Sequence, residues 1–153
     1  MRDFSNVVKL ILRFASTHSM IEEAVYFNSI DDYEDHSFKE STLFVLPVDG
    51  EISREDGNPI YTLSFAIGIV QKFSTADVNT QLDAHSSALF VAGQLNDYMI
   101  QELPVSSTAD INSITFDGSK SKSNTQGSTT WLDCVLTVTL PRNTYKQEIA
   151  LDD

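Results

Sequence analysis

Residues 61–73 read YTLSFAIGIVQKF, and the fold follows from this stretch. Large apolar side chains alternate along it with small or polar ones, from Tyr61 through Phe65 to Ile69. Because a β-strand directs successive side chains to opposite faces, a period of two over such a length predicts a long strand with one buried face. Residues 130–140, TWLDCVLTVTL, alternate in the same way and predict a second strand of this kind.

Shorter patterns on either side of these strands complete the predicted fold. Residues 42–48 and 111–117 have strand composition. Residues 3–17 and 78–103 carry apolar residues at helical spacing, and Pro104 ends the second helix. Strands and helices do not alternate strictly, which argues against a doubly wound parallel sheet. The sequence therefore predicts an α+β domain, an antiparallel β-sheet with an N-terminal helix and one long central helix packed on one face.

The predicted core comes from the apolar faces of these elements. The long helix is expected to bury a stripe that consists of Leu82, Leu89, Ala92, Leu95, Met99 and Leu103. The residues predicted to be buried are Phe65, Ile67, Leu89, Leu95, Leu136 and Val138. Residues 20–28 fit either a strand or an extension of the first helix, and their pattern does not decide between the two.

Length and charge limit the class of protein. A chain of 153 residues suits one domain, which we assign to residues 1–145, followed by a tail at 146–153. Ten Lys and Arg stand against 22 Asp and Glu, so the net charge is -12. A surface this acidic repels free DNA, which argues against a conventional nucleic-acid binder. The apolar runs are too short to cross a membrane and the start lacks a signal-peptide pattern, so no membrane partner is expected.

No motif in the sequence predicts catalysis or a bound cofactor. His18, His36 and His85 show no metal-ligand spacing, and His85 is expected to be a hydrogen-bonded structural residue. The acidic segment 31–35 lacks the glycine and the distal glutamate of a calcium loop, so it is interpreted as a solvated loop. Cys134 is the only cysteine and lies in an apolar run, which indicates a buried structural thiol. We therefore expect no enzyme activity, no metal and no cofactor.

Two polar stretches are predicted to be loops that contact neighbouring subunits. Residues 50–59 have the composition of a hairpin tip, and residues 119–129 are rich in Ser and Thr. Both are longer and more polar than a lone domain needs, so we expect them to be mobile in an isolated subunit and ordered in an assembly. The candidate contact residues are Glu51, Arg54, Glu55, Lys120 and Lys122.

The charges are unevenly distributed along the chain. Between Lys72 and Lys120 there is no Lys or Arg, although this stretch contains Asp83, Asp97 and Glu102. The polar face of the long helix is therefore acidic or neutral. It is either an ordinary solvated face or a surface that DNA passes without binding, because few cations would hold its phosphates.

Three stretches carry a resemblance to a known family. The first is the N-terminal helix, an acidic linker with Asp31 and Asp32, and the strand that ends Leu46-Pro47-Val48. The second is the strand at 61–73, followed by residues 77–82, which open the long helix. The third is residues 130–143, a strand closed by a Pro-x-Asn turn. In these features, over roughly residues 1–145, the chain resembles the tail-terminator and tail-completion proteins of tailed bacteriophages, including the neck-ring proteins of crAss-like phages.

The resemblance implies a structural role in the virion. Members of that family form rings in the neck or at the top of the tail, and these rings join head-side to tail-side components around a lumen that conducts the genome. It implies a homo-oligomeric ring, assembled in the host cytoplasm, whose partners are neck, portal or tail proteins and through which DNA passes without sequence-specific binding. Asp83, Asp97 and Glu102 are then candidate lumen-facing residues. The alternatives are a small acidic adaptor that acts as a monomer or dimer, and an enzyme without a recognisable motif.

Overall fold

Two helices and six strands form the part of the chain that the computed structural model describes, residues 2–27, 41–55, 57–73, 78–116, 123–124 and 127–141. The helices are α1 (Arg2–Thr17) and α2 (Val78–Glu102). The strands are β1 (Glu23–Tyr26), β2 (Ser41–Glu55), β3 (Asn58–Phe73), β4 (Thr108–Phe116), β5 (Ser123–Asn124) and β6 (Gly127–Pro141). The predicted α+β class is confirmed, and the segment left open at 20–28 contains a short strand.

The sheet has the strand order β1-β2-β3-β6-β4, with β5 paired to β6. Neighbouring strands are antiparallel except β1 and β2, which are parallel. The two strands with the clearest alternation lie side by side, with Phe65 opposite Leu136 and Ile67 opposite Cys134. Because residues paired across two strands point to the same face, β3 and β6 turn their large apolar side chains to one side of the sheet.

Both helices cover this apolar face, as the sequence predicts. α1 contacts β1 and β2, and α2 contacts β3, β6 and β4. The two helices meet where the rings of Phe14 and Tyr98 lie 5.5 Å apart. Five of the residues predicted to be buried are at most 1% exposed: Phe65, Ile67, Leu95, Leu136 and Val138. The core therefore lies between the helix pair and the centre of the sheet.

The sixth residue predicted to be buried, Leu89, is placed wrongly by the sequence. It is 47% exposed, and Leu82 of the same predicted stripe is also exposed. Ala84 and Ala88, in line with Leu95, face the sheet instead. The sheet already presents large Ile, Leu and Phe side chains at this contact, and a close-packed interface then favours small residues on the helix. Only the first two residues of the predicted stripe are misplaced, because its other four residues are buried as expected: Ala92, Leu95, Met99 and Leu103.

A smaller apolar cluster lies on the opposite face of the sheet and consists of Phe27, Phe44, Val70 and Trp131. The centre of the Phe44 ring is 5.7 Å from that of Phe27 and 5.5 Å from that of Trp131. Gly68 of β3 lies directly beneath the Phe44 ring, and a Cβ on Gly68 would stand 1.9 Å from Phe44 Cζ. This close approach accounts for a glycine in the middle of a strand.

The predicted loop at 50–59 is wrong, because most of these residues belong to the hairpin of β2 and β3. Its two strands remain paired as far as Glu55 opposite Asn58, so the candidate contact residues Glu51, Arg54 and Glu55 are exposed strand residues. The chain reverses at Gly57, whose φ of 81° suits glycine. A bulge between Pro47 and Asp49 shifts the register, which lets the ladder continue past a proline that has no N–H to donate.

Several sequence-based expectations fall outside the described residues. They concern His36, the acidic segment 31–35, Lys120 and Lys122, and the tail at 146–153. Of the predicted loop at 119–129, only residues 123–124 and 127–129 are described, and both segments are strand.

Candidate functional site

Exposed apolar side chains lie along α2 and on the edge strand β4 beside it. They are Leu82, Leu89, Phe90 and Ile100 of α2 and Ile114 and Phe116 of β4, and each is between 42% and 57% exposed. We call this set the α2–β4 surface. Leu89, Phe90 and Ile114 of this set line one cleft, and contiguous exposed apolar area on a small domain commonly marks a site of interaction with another molecule. The α2–β4 surface is therefore the candidate functional site.

A cleft of about 480 Å³ opens within the α2–β4 surface. Its lining includes Leu89 and Phe90 on α2, Ile111 on β4, and Asp97 as the charged group. Gly93 also lines the cleft, and a Cβ at this position would meet no atom within 4 Å. The absence of a side chain at Gly93 leaves a depression on the exposed side of the helix, which a side chain of a second molecule can enter.

The backbone edge beside the cleft is partly blocked. β4 has β6 as its neighbour and leaves its other edge unpaired in the described sheet. At one position on that edge the N–H of Ile111 donates a hydrogen bond of 2.9 Å to Oδ1 of Asn96, from α2. Further along, the register shifts between Asn112 and Thr115, and Ser113 has a φ of 55°. Such features prevent a new strand from adding to an edge, so a partner meets side chains here rather than a row of free backbone groups.

The three candidate acidic residues do not form one cluster. Asp83, Asp97 and Glu102 are all exposed on α2. Asp83 and Asp97 are 14 residues apart (97 − 83), which corresponds to about 21 Å along a helix. Asp97 lines the apolar cleft, whereas Glu102 is the last residue of the helix. The acidic character of α2 is therefore spread along its length, and one of its carboxylates belongs to the α2–β4 surface.

A surface of opposite charge lies on α1. Lys9 and Arg13 are exposed and stand one turn apart on the same side of the helix, away from the buried Val7 and Ile11. Residues 4–21 contain no Asp or Glu. Neither basic side chain forms an ion pair with a residue that the structure describes. We call the exposed side of the helix that carries Lys9 and Arg13 the basic face of α1.

The two described histidines make structural contacts. Nδ1 of His18 accepts a hydrogen bond of 3.1 Å from the N–H of Met20, so Nε2 carries the hydrogen that Oε1 of Gln94 accepts. This contact links the end of α1 to α2. His85 packs its ring against Phe116, with the ring centres 4.7 Å apart. His85 thus borders the α2–β4 surface through a ring contact.

Cys134 has the buried position predicted from the sequence, with 2% of its surface exposed. Burial, with a smaller contribution from the charge of Asp133, raises the pKa of the Cys134 thiol from 9.0 to about 12. Among the described residues, no group of three or more His, Cys, Asp or Glu side chains is arranged to hold a metal ion. No helix in the described part of the chain is long and apolar enough to cross a membrane.

No protein-family model matches the chain, and a search of curated proteins gives no match. The α2–β4 surface is the feature that the sequence-based prediction missed. The sequence does indicate it. The buried side of α2 carries Ala84, Ala88 and Leu95, and further large apolar residues occur on other sides of the same helix: Leu82, Leu89, Phe90 and Ile100. A helix with apolar residues all round has a second contact to make, either within its own domain or with another molecule.

Proposed function

We propose that the chain is a structural virion protein of a tailed bacteriophage, one subunit of a ring in the neck or at the top of the tail. The ring joins head-side and tail-side components around a lumen that conducts DNA. In this proposal the chain acts by assembly, without catalysis and without a cofactor.

One observation carries the proposal, namely the exposed α2–β4 surface at one edge of the sheet. A monomer gains nothing from leaving this many large apolar side chains in water. Ring formation requires each subunit to offer one surface to the neighbour on each side. The α2–β4 surface has the position and composition of one of those two contacts. The resemblance in architecture to tail-terminator and neck-ring proteins supports the same role.

The charge distribution supports the passage of DNA. With a net charge of -12 and no Lys or Arg between residues 72 and 120, the chain offers few contacts that would hold phosphates. Asp83 and Glu102 are exposed and remain the candidates for facing the lumen, whereas Asp97 lies in the cleft of the α2–β4 surface, which has the composition of a subunit contact. Because charges are screened over about 8 Å at physiological salt, only carboxylates close to the DNA would repel it.

The first test of the ring is its detection. Light scattering and negative-stain microscopy of the purified chain over a range of concentrations should show closed rings with a central hole. A chain that remains a monomer or dimer at every concentration, also in the presence of its neck and tail partners, would contradict the proposal.

The role of the lumen has its own test. Replacing Asp83 or Glu102 by Lys should leave rings intact but slow genome ejection or leave DNA stalled in the particle. If Asp83 and Glu102 both lie on the outer wall of an assembled ring, their assignment to the lumen is wrong even though the ring stands.

A small acidic adaptor is the second candidate, and the cleft of the α2–β4 surface favours it. A single cleft on a monomer suffices to bind one partner segment. An adaptor would bind that partner with a fixed stoichiometry of one and would never form rings, so the measurement of particle size decides between the two.

A further inference from the structure

We propose that the α2–β4 surface of one subunit binds the basic face of α1 of the next subunit, so that copies of the chain join head to tail. This inference rests on the proposed ring and identifies the contact that closes it.

The two surfaces are at different places on the molecule. α1 contacts β1 and β2, at one end of the strand order, whereas β4 is at the other end. α2 lies between them, since its residues Gln94 and Tyr98 face α1 and its residues Asn96 and His85 face β4. Gln94 belongs both to the lining of the cleft and to the contact with α1, yet neither Lys9 nor Arg13 forms an ion pair with Asp97 within the described chain. Complementary surfaces at two different places on a subunit produce a heterologous contact, which generates a ring when its rotation closes.

Charge selects the partner of the α2–β4 surface. This surface carries Asp97 in its cleft and no Lys or Arg. If two copies met through the same surface, carboxylate would face carboxylate and the pair would be repelled. Lys9 and Arg13 supply the opposite charge and have no described partner in their own chain. The α2–β4 surface therefore attracts a second copy that approaches with α1 and repels one that approaches with α2.

The side chains also fit in shape and chemistry. Lys and Arg have long aliphatic stems that cover apolar surface while their charged ends stay in water. Arg13 can reach the face of an exposed ring such as Phe90, and guanidinium groups are attracted to aromatic faces. Gly93 lets a second helix approach because it has no side chain in the way. The hydrogen bond from Ile111 to Asn96 obstructs an added strand, so a helix is the better occupant.

Charge reversal tests the contact. Arg13→Glu should raise the dissociation constant for self-association by about tenfold or more, and Asp97→Lys should do the same. An equimolar mixture of the two variants should restore assembly, because each variant then offers the surface that the other needs. The matched control is Asp110→Lys, which makes the same charge change on β4 but on the other face of the sheet, since Asp110 lies between Ala109 and Ile111 in the strand. Rings that form equally well from all three variants would overturn the contact and leave the ring proposal intact.

Cross-linking provides a second readout that needs only transient encounters. Chains with Arg13→Cys and chains with Asp97→Cys are mixed and treated with a short bismaleimide, while the native Cys134 is shielded by burial. Products that join position 13 of one chain to position 97 of another are expected, and Asp110→Cys should give few products with position 13. Products that join 97 to 97 would show a two-fold contact and overturn the proposal. If the wild-type chain forms no rings but 13-to-97 products appear, the contact stands and the ring fails; if neither is found, both fail.

Discussion

Gly68 lies under the ring of Phe44, and this pair holds the smaller apolar cluster on the sheet. A methyl group at Gly68 would overlap the ring, which is itself held between Phe27 and Trp131. We expect Gly68→Ala to lower the free energy of unfolding by about 1–3 kcal/mol, the usual cost of overpacking a core. Urea unfolding of both chains, monitored by Trp131 fluorescence, measures this change in the free energy of unfolding.

Gly93→Ala is the matched control for Gly68→Ala. Its added methyl group meets no atom, and alanine is favoured over glycine inside a helix. The free energy of unfolding should therefore rise by about 0.5–1 kcal/mol. Equal effects of the two substitutions would mean that the Phe44 ring moves aside without cost and that the cluster is loosely packed.

Cys134 makes stability depend on pH in the alkaline range. Its thiol loses a proton near pH 9.0 when the chain is unfolded and near pH 12 when it is folded. The folded state thus holds the proton more tightly, so the stability from this group is complete below pH 9 and is lost as the pH rises towards 12. Between these values the free energy of unfolding should fall by about 1.4 kcal/mol per pH unit.

The Cys134→Ala variant isolates this effect. It should be less stable than the wild type near neutral pH because of the cavity it creates, but its stability should fall less steeply above pH 9. Urea unfolding of both chains across the alkaline range gives the two slopes. Parallel slopes would show that Cys134 is not the group that titrates.

At the scale of single elements, α2 shows which features follow from the sequence and which depend on the rest of the fold. Its bounds and its contact with the sheet follow from spacing and from Pro104. Its buried row follows only in part, because apolar residues occupy more than one side of the helix. Leu82 and Leu89 are exposed, whereas four residues of the predicted stripe are buried as predicted: Ala92, Leu95, Met99 and Leu103. Which side of α2 is buried depends on the volume that the side chains of β3 and β6 leave free, and this volume cannot be inferred from one sequence.

Leu95 and Leu89 turn this difference into a prediction. Leu95 is fully buried and Leu89 is half exposed, although they are on one helix and of one residue type. Leu95→Ala should cost about 2–5 kcal/mol of unfolding free energy, whereas Leu89→Ala should stay within about 0.5 kcal/mol of the wild type. Leu136→Ala, on the facing strand, should resemble Leu95→Ala. A large loss at Leu89 would mean that the α2–β4 surface is covered in the free chain.

The hairpin of β2 and β3 shows a second limit of sequence-based prediction. The alternation over 61–73 correctly predicts β3, but Pro47 and the Asp49-Gly50 pair predict that β2 ends there. The bulge after Pro47 lets β2 continue to Glu55, since β3 offers a complete ladder of partners to pair with. Glu51, Arg54 and Glu55, which are expected in a loop, are therefore on a strand, because they pair with residues 58–62 of β3.

For the whole molecule, the strand order predicts which part of the chain completes the fold. β6, the last described strand along the chain, lies between β3 and β4 and is the strand that connects them. A chain that ends before residue 127 lacks this connection and half of the buried pairs of β3. It should show no cooperative unfolding transition in urea, whereas the full chain should show one. A sharp transition in the shortened chain would mean that β3 and β4 can pair without β6.

The central place of β6 has a consequence for synthesis on the ribosome. β4 and α2 leave the ribosome before β6 does, so β4 is not joined to the rest of the sheet until β6 has been made. The cleft of the α2–β4 surface is complete only in a chain that has been translated as far as β6. In the proposed ring, a chain that stops before β6 therefore offers no completed cleft to its neighbour and does not extend the assembly.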